Sequence, residues 1–409
     1  MIRIVLFLTI SLYAFQGDPY KNFAAESHGI IEKEGLGFVI AAHQTPDDSI
    51  VAIYSEGSIL KFNTSGIQTA TITFEQRITA AYFESDRFVV SRHGGDANTN
   101  NIARIKYDLS FDSSFGINGT TDTFRGNDRD VQFNTITKQN NLYYIGGSYT
   151  KNDITSPIVF RYTDNGSLDI NFHASGNIVL NPFGSGKIDT ILFLKNNVIV
   201  RNYRGLIEAS TETITTLKSI RYPFSSNIEA YDDTSFFVCS NNTVYKYTDS
   251  LDLDTTFNNG LGSITFDTIA TLFPNESNTY ELTFIKKIGN YLICSGYTLK
   301  ADGADNYNLI PYFVCYNISN PASPYLEPTF FNGGYFVGRE TDYTFNSHSN
   351  TSTFITPNSV PYLFLANDRY LTCFSIGESF SRKISTQKSL LSRLTLEEAY
   401  GNFLPFLTR

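Results

Sequence analysis

The stretch Phe111-Asp112-Ser113-Ser114-Phe115-Gly116-Ile117-Asn118-Gly119 is written more than once in this chain. It returns as Asp169-Ile170-Asn171-Phe172-His173-Ala174-Ser175-Gly176 and as Asp254-Thr255-Thr256-Phe257-Asn258-Asn259-Gly260. A looser copy is Glu327-Pro328-Thr329-Phe330-Phe331-Asn332-Gly333. The shared chemistry is that of a turn. Asp, Ser and Thr side chains bond to backbone N–H groups two residues on, and Gly supplies positive φ without steric cost. The Phe between them anchors the turn in apolar surface. These aspartates read as structural, not catalytic.

Around each turn the same order recurs. An aromatic strand ends just upstream, at Tyr107, Tyr162, Tyr247 and Tyr316. Asn141 to Gly147, Ser156 to Tyr162 and Asn177 to Leu180 read as short strands, and Asn290 to Gly296, Pro311 to Tyr316 and Tyr335 to Val337 repeat that order. Asn, Asp and Gly clusters separate them, and almost nothing before residue 380 has a helical period. A unit of roughly 45–60 residues with four short strands matches a β-propeller blade better than a sandwich. Degraded copies of the turn are expected at Tyr20-Lys21-Asn22-Phe23, at Phe62-Asn63-Thr64-Ser65-Gly66 and near Thr213 to Phe224. With these, the turn sites indicate an all-β, single β-propeller of seven four-stranded blades over residues 18–378, six and eight being the alternatives. Aligned second strands put Cys239, Cys294 and Cys373 where Ala52, Ser91 and Gly146 stand, a place that wants a small residue.

The pattern Asp-x-[Ser/Thr/Asn]-Phe-x-x-x-Gly resembles the bacterial delta-60 β-propeller repeat. The strand that precedes it in that family is echoed in Thr45-Pro46-Asp47-Asp48-Ser49-Ile50-Val51-Ala52. The resemblance covers about residues 20–378. It implies a fold, and no established chemistry comes with it.

Composition agrees with a packed β protein. Of 409 residues, 15% are aromatic, from 34 Phe and 26 Tyr, and this excess argues against disorder as a global state. The net charge of −9 argues against nucleic acid as a partner, because neutralising phosphates needs a basic surface. Trp is absent, which weakens two enzymatic propeller families whose motifs resemble Trp-bearing boxes.

The termini read differently. Met1-Ile2-Arg3 ahead of the apolar run Ile4 to Ala14 predicts a signal peptide over 1–17, hence an exported chain: secreted, periplasmic or at the cell surface. No other apolar stretch is long enough to span a membrane once the signal is removed. At the other end, Thr395-Leu396-Glu397-Glu398 is a capping box ahead of Leu396, Ala399, Tyr400, Phe403 and Leu404, which predicts a short helix within a tail at 379–409.

Chemistry is sparse. His28, His43, His93, His173 and His348 stand in no metal-ligand pattern, and the four cysteines lack Cys-x-x-Cys spacing, so no metal and no cofactor are expected. Free core cysteine is the favoured reading, with Cys294 and Cys315 the one pair worth testing as a bridge. The loop after each second strand lies on one face of a propeller. Those loops are polar, and they name a candidate ligand-binding rim of Arg92, His93, Asp96, Asp153, Asp302 and Asp305. A non-enzymatic binding or scaffold module for a protein or surface glycan is therefore expected. The alternative is a polysaccharide hydrolase or lyase using loop carboxylates, which need no sequence proximity.

Overall fold

The computed structural model describes residues 30 to 375 except 33–34, 38, 95–99, 122–129, 174, 181–184, 203, 211–212, 222–227, 268–279, 302–306, 331–332, 338–350, 356–361 and 367–369. Short apolar runs closed by Asn, Asp and Gly turns form strands throughout. β1 (Ile30–Glu32) comes first in the chain. The first sheet then holds β2 (Val39–Gln44), β3 (Ile50–Tyr54), β4 (Ser58–Phe62) and β5 (Gln68–Thr73). The second holds β6 (Arg77–Phe83), β7 (Arg87–His93) and β8 (Asn100–Lys106). The third holds β9 (Asp130–Gln139), β10 (Leu142–Lys151), β11 (Ile154–Thr163) and β12 (Asn177–Val179). The fourth holds β13 (Ile188–Phe193), β14 (Asn197–Asn202), β15 (Gly205–Ser210) and β16 (Thr216–Arg221). The fifth holds β17 (Glu229–Asp232), β18 (Ser235–Ser240), β19 (Thr243–Thr248) and β20 (Ser263–Thr265). The sixth holds β21 (Tyr280–Ile288), β22 (Tyr291–Ala301), β23 (Tyr307–Asn317), β24 (Tyr325–Leu326) and β25 (Tyr335–Val337). The last holds β26 (Thr351–Ile355), β27 (Tyr362–Ala366) and β28 (Tyr370–Ser375).

This last sheet takes its fourth strand from the other end of the chain. β1 pairs antiparallel with β28, Ile30 opposite Thr372 and Glu32 opposite Tyr370. First strands of successive sheets pack on one another, β2 on β6, β6 on β9, β9 on β13 and β17 on β21, and β26 packs back on β2. Apolar side chains fill the spaces between sheets. Ile53 and Phe88 lie between the first and second, Phe133 and Phe160 between the second and third, and Phe172 and Val200 between the third and fourth. Ile199 and Phe236 join the fourth to the fifth, and Phe237 and Leu282 the fifth to the sixth. A strand covered on both faces loses its alternation, and Ile50-Val51-Ala52-Ile53-Tyr54 is buried at every position. The result is an all-β, propeller-like arrangement of antiparallel sheets.

The repeated turn has a consistent construction. Asp112 Oδ1 accepts from the Ser114 N–H (3.1 Å) and hydroxyl (2.7 Å), while Oδ2 accepts from Arg104 Nε (2.8 Å) and Arg87 Nη1 (2.7 Å). Asp254 is held in the same way by Thr256 and by Lys246 Nζ at 2.7 Å, and Asp169 by the Asn171 N–H and Arg161 Nε at 2.8 Å. In the loose copy, Glu327 takes the Thr329 N–H and hydroxyl, and Asn317 replaces the cation. Phe115, Phe172, Phe257 and Phe330 are all buried. The Arg104 and Arg161 guanidinium groups lie 4.7 and 4.5 Å from the ring centres of Phe115 and Phe172. Such contacts add to the ion pair.

Three of the four excursions, those of Phe115, Phe172 and Phe257, also reach the neighbouring sheet. The Gly116 N–H donates to the Asn165 carbonyl at 2.7 Å, and the Asn258 and Asn259 N–H groups donate to the Pro321 and Ala322 carbonyls at 2.8 and 2.7 Å. His173 Nε2 meets the Thr213 carbonyl, which makes this histidine structural. The turn is an inter-sheet clasp.

Several sequence expectations need correction. The glycine that closes the excursion, by accepting a hydrogen bond from the third strand, is Gly119, Gly176, Gly262 and Gly334. Gly260 and Gly333 are not the equivalents, because the third loop is one residue longer and the fourth keeps the original spacing. Near Thr213 the Ile214 N–H bonds the Ser210 carbonyl and β16 returns along β15 with a bulge at Leu217, so the described residues form no acid–Phe–Gly excursion; the rest of the expected copy, 222–224, lies outside them. The copy expected at Phe62 to Gly66 is instead the tight turn that follows a third strand: Gly66 bonds back to Asn63 as Gly166 does to Thr163, each at 2.9 Å, and β5 follows directly.

Cys373 lies on β28, a third strand, and Cys239 and Cys294, though both on second strands, point into the same inter-sheet cluster from its two sides, so the three cysteines do not share one position. The Cys294–Cys315 bridge is also excluded. Cys294 stands opposite Val314 and Cys315 opposite Ile293, so the two side chains leave opposite faces of the sheet; both are buried and neither is in a disulfide. The leader-like residues 1–17 and the tail at 379–409 with its expected helix lie outside the described residues, as does the expected turn at Tyr20.

Candidate functional site

Strand direction sorts the loops onto two faces. Turns from second to third strands, together with the connections between sheets, share one face. Turns from first to second and from third to fourth strands, including the clasps, share the other. The described residues among the anticipated rim, Arg92, His93 and Asp153, belong to the first of these faces.

Of those six, Arg92, His93 and Asp153 are described, whereas Asp96, Asp302 and Asp305 lie outside the described residues. Arg92 is buried at the end of β7. Its Nε donates to Asn101 Oδ1 at 2.8 Å, and its guanidinium lies 4.6 Å from the Phe74 ring centre. Burial pushes its pKa down to about 10. His93 is half-buried and shares a 2.8 Å hydrogen bond between Nδ1 and Asn100 Oδ1. Asn100 Nδ2 in turn donates to the Val131 carbonyl at the start of the third sheet. Both side chains therefore brace the second sheet. Asp153 differs: it is exposed at the β10–β11 turn.

Asp153 lines a cleft of about 740 Å³, with Gln132, Ser148, Thr150, Ile154, Thr155, Ser185, Gly186 and Lys187. Three pieces of chain build it: the start of β9, the β10–β11 hairpin, and the segment entering β13. The Gly186 N–H donates to the Thr155 carbonyl at 3.0 Å, which ties that segment to the hairpin. Thr150 and Thr155 hydroxyls share a 3.0 Å hydrogen bond across the hairpin. The lining is rich in hydroxyl and amide groups, carries one anionic and one cationic side chain, and places exposed Ile154 beside them. Such a surface can exchange hydrogen bonds with a polar, largely uncharged ligand.

Beneath the cleft lies a charged pair. Lys187 Nζ is 3.7 Å from Asp189 Oδ1, and Asp189 is the extra residue of a bulge between Ile188 and Thr190. Burial raises the Asp189 carboxyl above its ordinary value, opposed by Arg201 and Lys187. Equivalent bulges displace one residue in the first strand of the first, second, third and sixth sheets, and the fifth has its bulge at the hairpin end of β17. Bulges re-aim side chains at sheet ends, and no residue pattern in the sequence announces them. Ser185, Gly186 and Lys187 stand out in the sequence as a Gly-rich spot without a phosphate-loop pattern. The structure gives them a wall of the cleft instead. Among the described residues no group of His, Cys, Asp and Glu is placed to hold a metal ion, and no helix is long and apolar enough to cross a membrane.

No family model matches the chain, and no curated protein does. Its fold is similar to that of Sqt1 from Saccharomyces cerevisiae, with a TM-score of 0.46 and 10% identity over 83% of this chain and 84% of that one. It is similar also to the Pan2 WD40 domain from Neurospora crassa (TM-score 0.46, 8% identity, 84% and 92% covered). BamB from Moraxella catarrhalis gives a TM-score of 0.37 and 13% identity over 62% and 65%. Likenesses this distant carry no function across.

Proposed function

We propose that the chain is an exported, non-enzymatic, seven-bladed propeller of delta-60-like repeats that binds a protein or a surface glycan. The ligand is taken on the face that carries the β10–β11 hairpin. The observation that supports this most is the polar cleft around Asp153 and Lys187, tied together by Gly186 and Thr155. A blade number of seven is supported by the seven sheets among the described residues. The repeat assignment is supported by the acid–hydroxyl–Phe–Gly clasp. The apolar run at residues 4–14 supports export.

The competing hydrolase reading needs two carboxyl groups flanking one bond. Asp153 is the single carboxylate among the described residues that line the cleft. The test is a glycan array and a pulldown with the mature chain, followed by affinity measurements on Asp153→Ala and Lys187→Ala. Losing one charge-assisted hydrogen bond is expected to weaken binding by about 10–100-fold. Unchanged affinity in both variants would place the ligand elsewhere. Release of new reducing ends from a polysaccharide would establish the enzymatic alternative.

A further inference from the structure

We propose that Cys239 and Cys294 form a disulfide that staples the fifth sheet to the sixth. The two residues occupy second strands, β18 and β22, of neighbouring sheets. Both are fully buried within one apolar cluster that includes Phe237, Val244, Leu282 and Val314. Cys239 shares a strand face with Phe237 and Cys294 with Leu292, and all four belong to that cluster, so both thiol side chains enter the same space between the two sheets. Cys315, the partner suggested by proximity in sequence, leaves the opposite face of its sheet pair. Inter-sheet packing therefore selects a partner that strand order alone does not.

Bonded sulfurs stand about 2 Å apart, so the two thiols must still close on one another. Cys side chains are unbranched, and rotation at χ1 is the movement the bridge requires. The chemistry is thiol–disulfide exchange with an external disulfide. The Cys239 or Cys294 thiolate attacks it and releases one thiol, and the second protein thiolate then displaces the other. The protein loses two protons and two electrons, and the external disulfide gains them as two thiols. Burial and the Cys239 contact push the Cys294 thiol well up, so exchange is slow in the folded chain and proceeds while the chain folds. An exported chain meets such oxidants. The bridge would enclose β19, β20 and β21, and constraining that segment of the unfolded chain stabilises the fold.

The test is refolding of the full, reduced chain in a mixture of glutathione disulfide and glutathione, followed by peptide mapping and thermal melting. The expected result is one cross-linked peptide joining Cys239 to Cys294, with Cys315 still open to alkylation after unfolding, and a higher thermal midpoint than the reduced chain. A link from Cys294 to Cys315, or a folded chain with Cys239 and Cys294 both alkylatable, would overturn the proposal. Two variants guard against a misfolding artefact. Cys239→Ser should fold, since Ser91 occupies the matching place in β7, and it should show no link. Cys315→Ser should keep the link. A link to Cys294 that survives in Cys239→Ser would also overturn it.

Discussion

Asp112 shows at the scale of one residue why the repeated acids are structural. Its carboxylate is surrounded by Ser114, Arg87 and Arg104, and the Arg104 side chain is only 3% exposed. Asp112→Asn removes the nearer counter-ion and leaves that guanidinium only the half-exposed Asp164 carboxylate at 3.6 Å; removing one partner of a buried pair costs about 3–5 kcal/mol, and Asp164 offsets part of that. Chemical denaturation should show this loss. Asp153→Asn, at an exposed turn, should stay within about 0.5 kcal/mol of the parent. Acid titration tests the same arrangement. Burial pushes the Asp112 carboxyl up, but Ser114, Arg87 and Arg104 outweigh it and hold the group well below the usual carboxylate range. Asp47 is likewise held at about 2: burial raises it, and Lys61, Thr45 and Ser49 more than reverse the effect. Unfolded Asp titrates near 3.9. These groups therefore contribute stability that is present above about pH 4 and is lost as pH falls through their folded values. Asp189 works in the opposite sense, since its raised pKa favours the fold at low pH and the benefit is lost as pH rises. The depressed groups are more numerous, so urea midpoints should fall as pH drops from about 4 toward 2. A midpoint that rises over this range would show that the clasps do not hold their acids ionised.

At the scale of the element, the clasp explains which glycine matters. Gly262 has φ +66, and a Cβ there would lie 2.4 Å from Leu253 Cγ. Gly260 has φ +93, but a Cβ there would meet nothing closer than the Thr255 carbonyl at 3.9 Å. Gly262→Ala should therefore destabilise the chain by more than Gly260→Ala, for which the backbone strain of about 1–2 kcal/mol stands alone. Paired denaturation curves decide this, and equal losses would contradict the assignment of Gly262 as the closing residue. The turn chemistry was legible in the sequence because Asp, Ser or Thr, Phe and Gly each have a local job. The register of its last residue was not legible, because Asn258, Asn259 and Gly260 satisfy the same local preferences as Gly262. Pairing with Lys246 on β19 makes the choice, and that contact is non-local. The same limit explains Cys294. Strand proximity pointed to Cys315, whereas packing between sheets brings Cys239.

At the scale of the whole molecule, repeated strands and turns were enough to read an all-β, propeller-like chain. What the residues did not announce is how the two ends of that array meet. β1 is three residues long, and Ile30-Ile31-Glu32 carries no signal that it belongs with β28, hundreds of residues away. The site was less legible still. Arg92 and His93 look like rim ligands in sequence, but Asn101, Asn100 and Phe74 engage them inside the fold. Lys187 and Gln132 join Asp153 only because β9, the β10–β11 hairpin and the entry to β13 converge. The β1–β28 pair joins the start of the chain to its last sheet and so ties the two ends of the array together. Its most direct measurement is cross-linking of a chain carrying Ile31→Cys and Leu371→Cys, residues that stand opposite one another in the β1–β28 pair. Oxidation should yield a peptide joining positions 31 and 371 and should raise the thermal midpoint. No link between those positions in the folded chain, under conditions that oxidise both cysteines after unfolding, would contradict this pairing of the two ends.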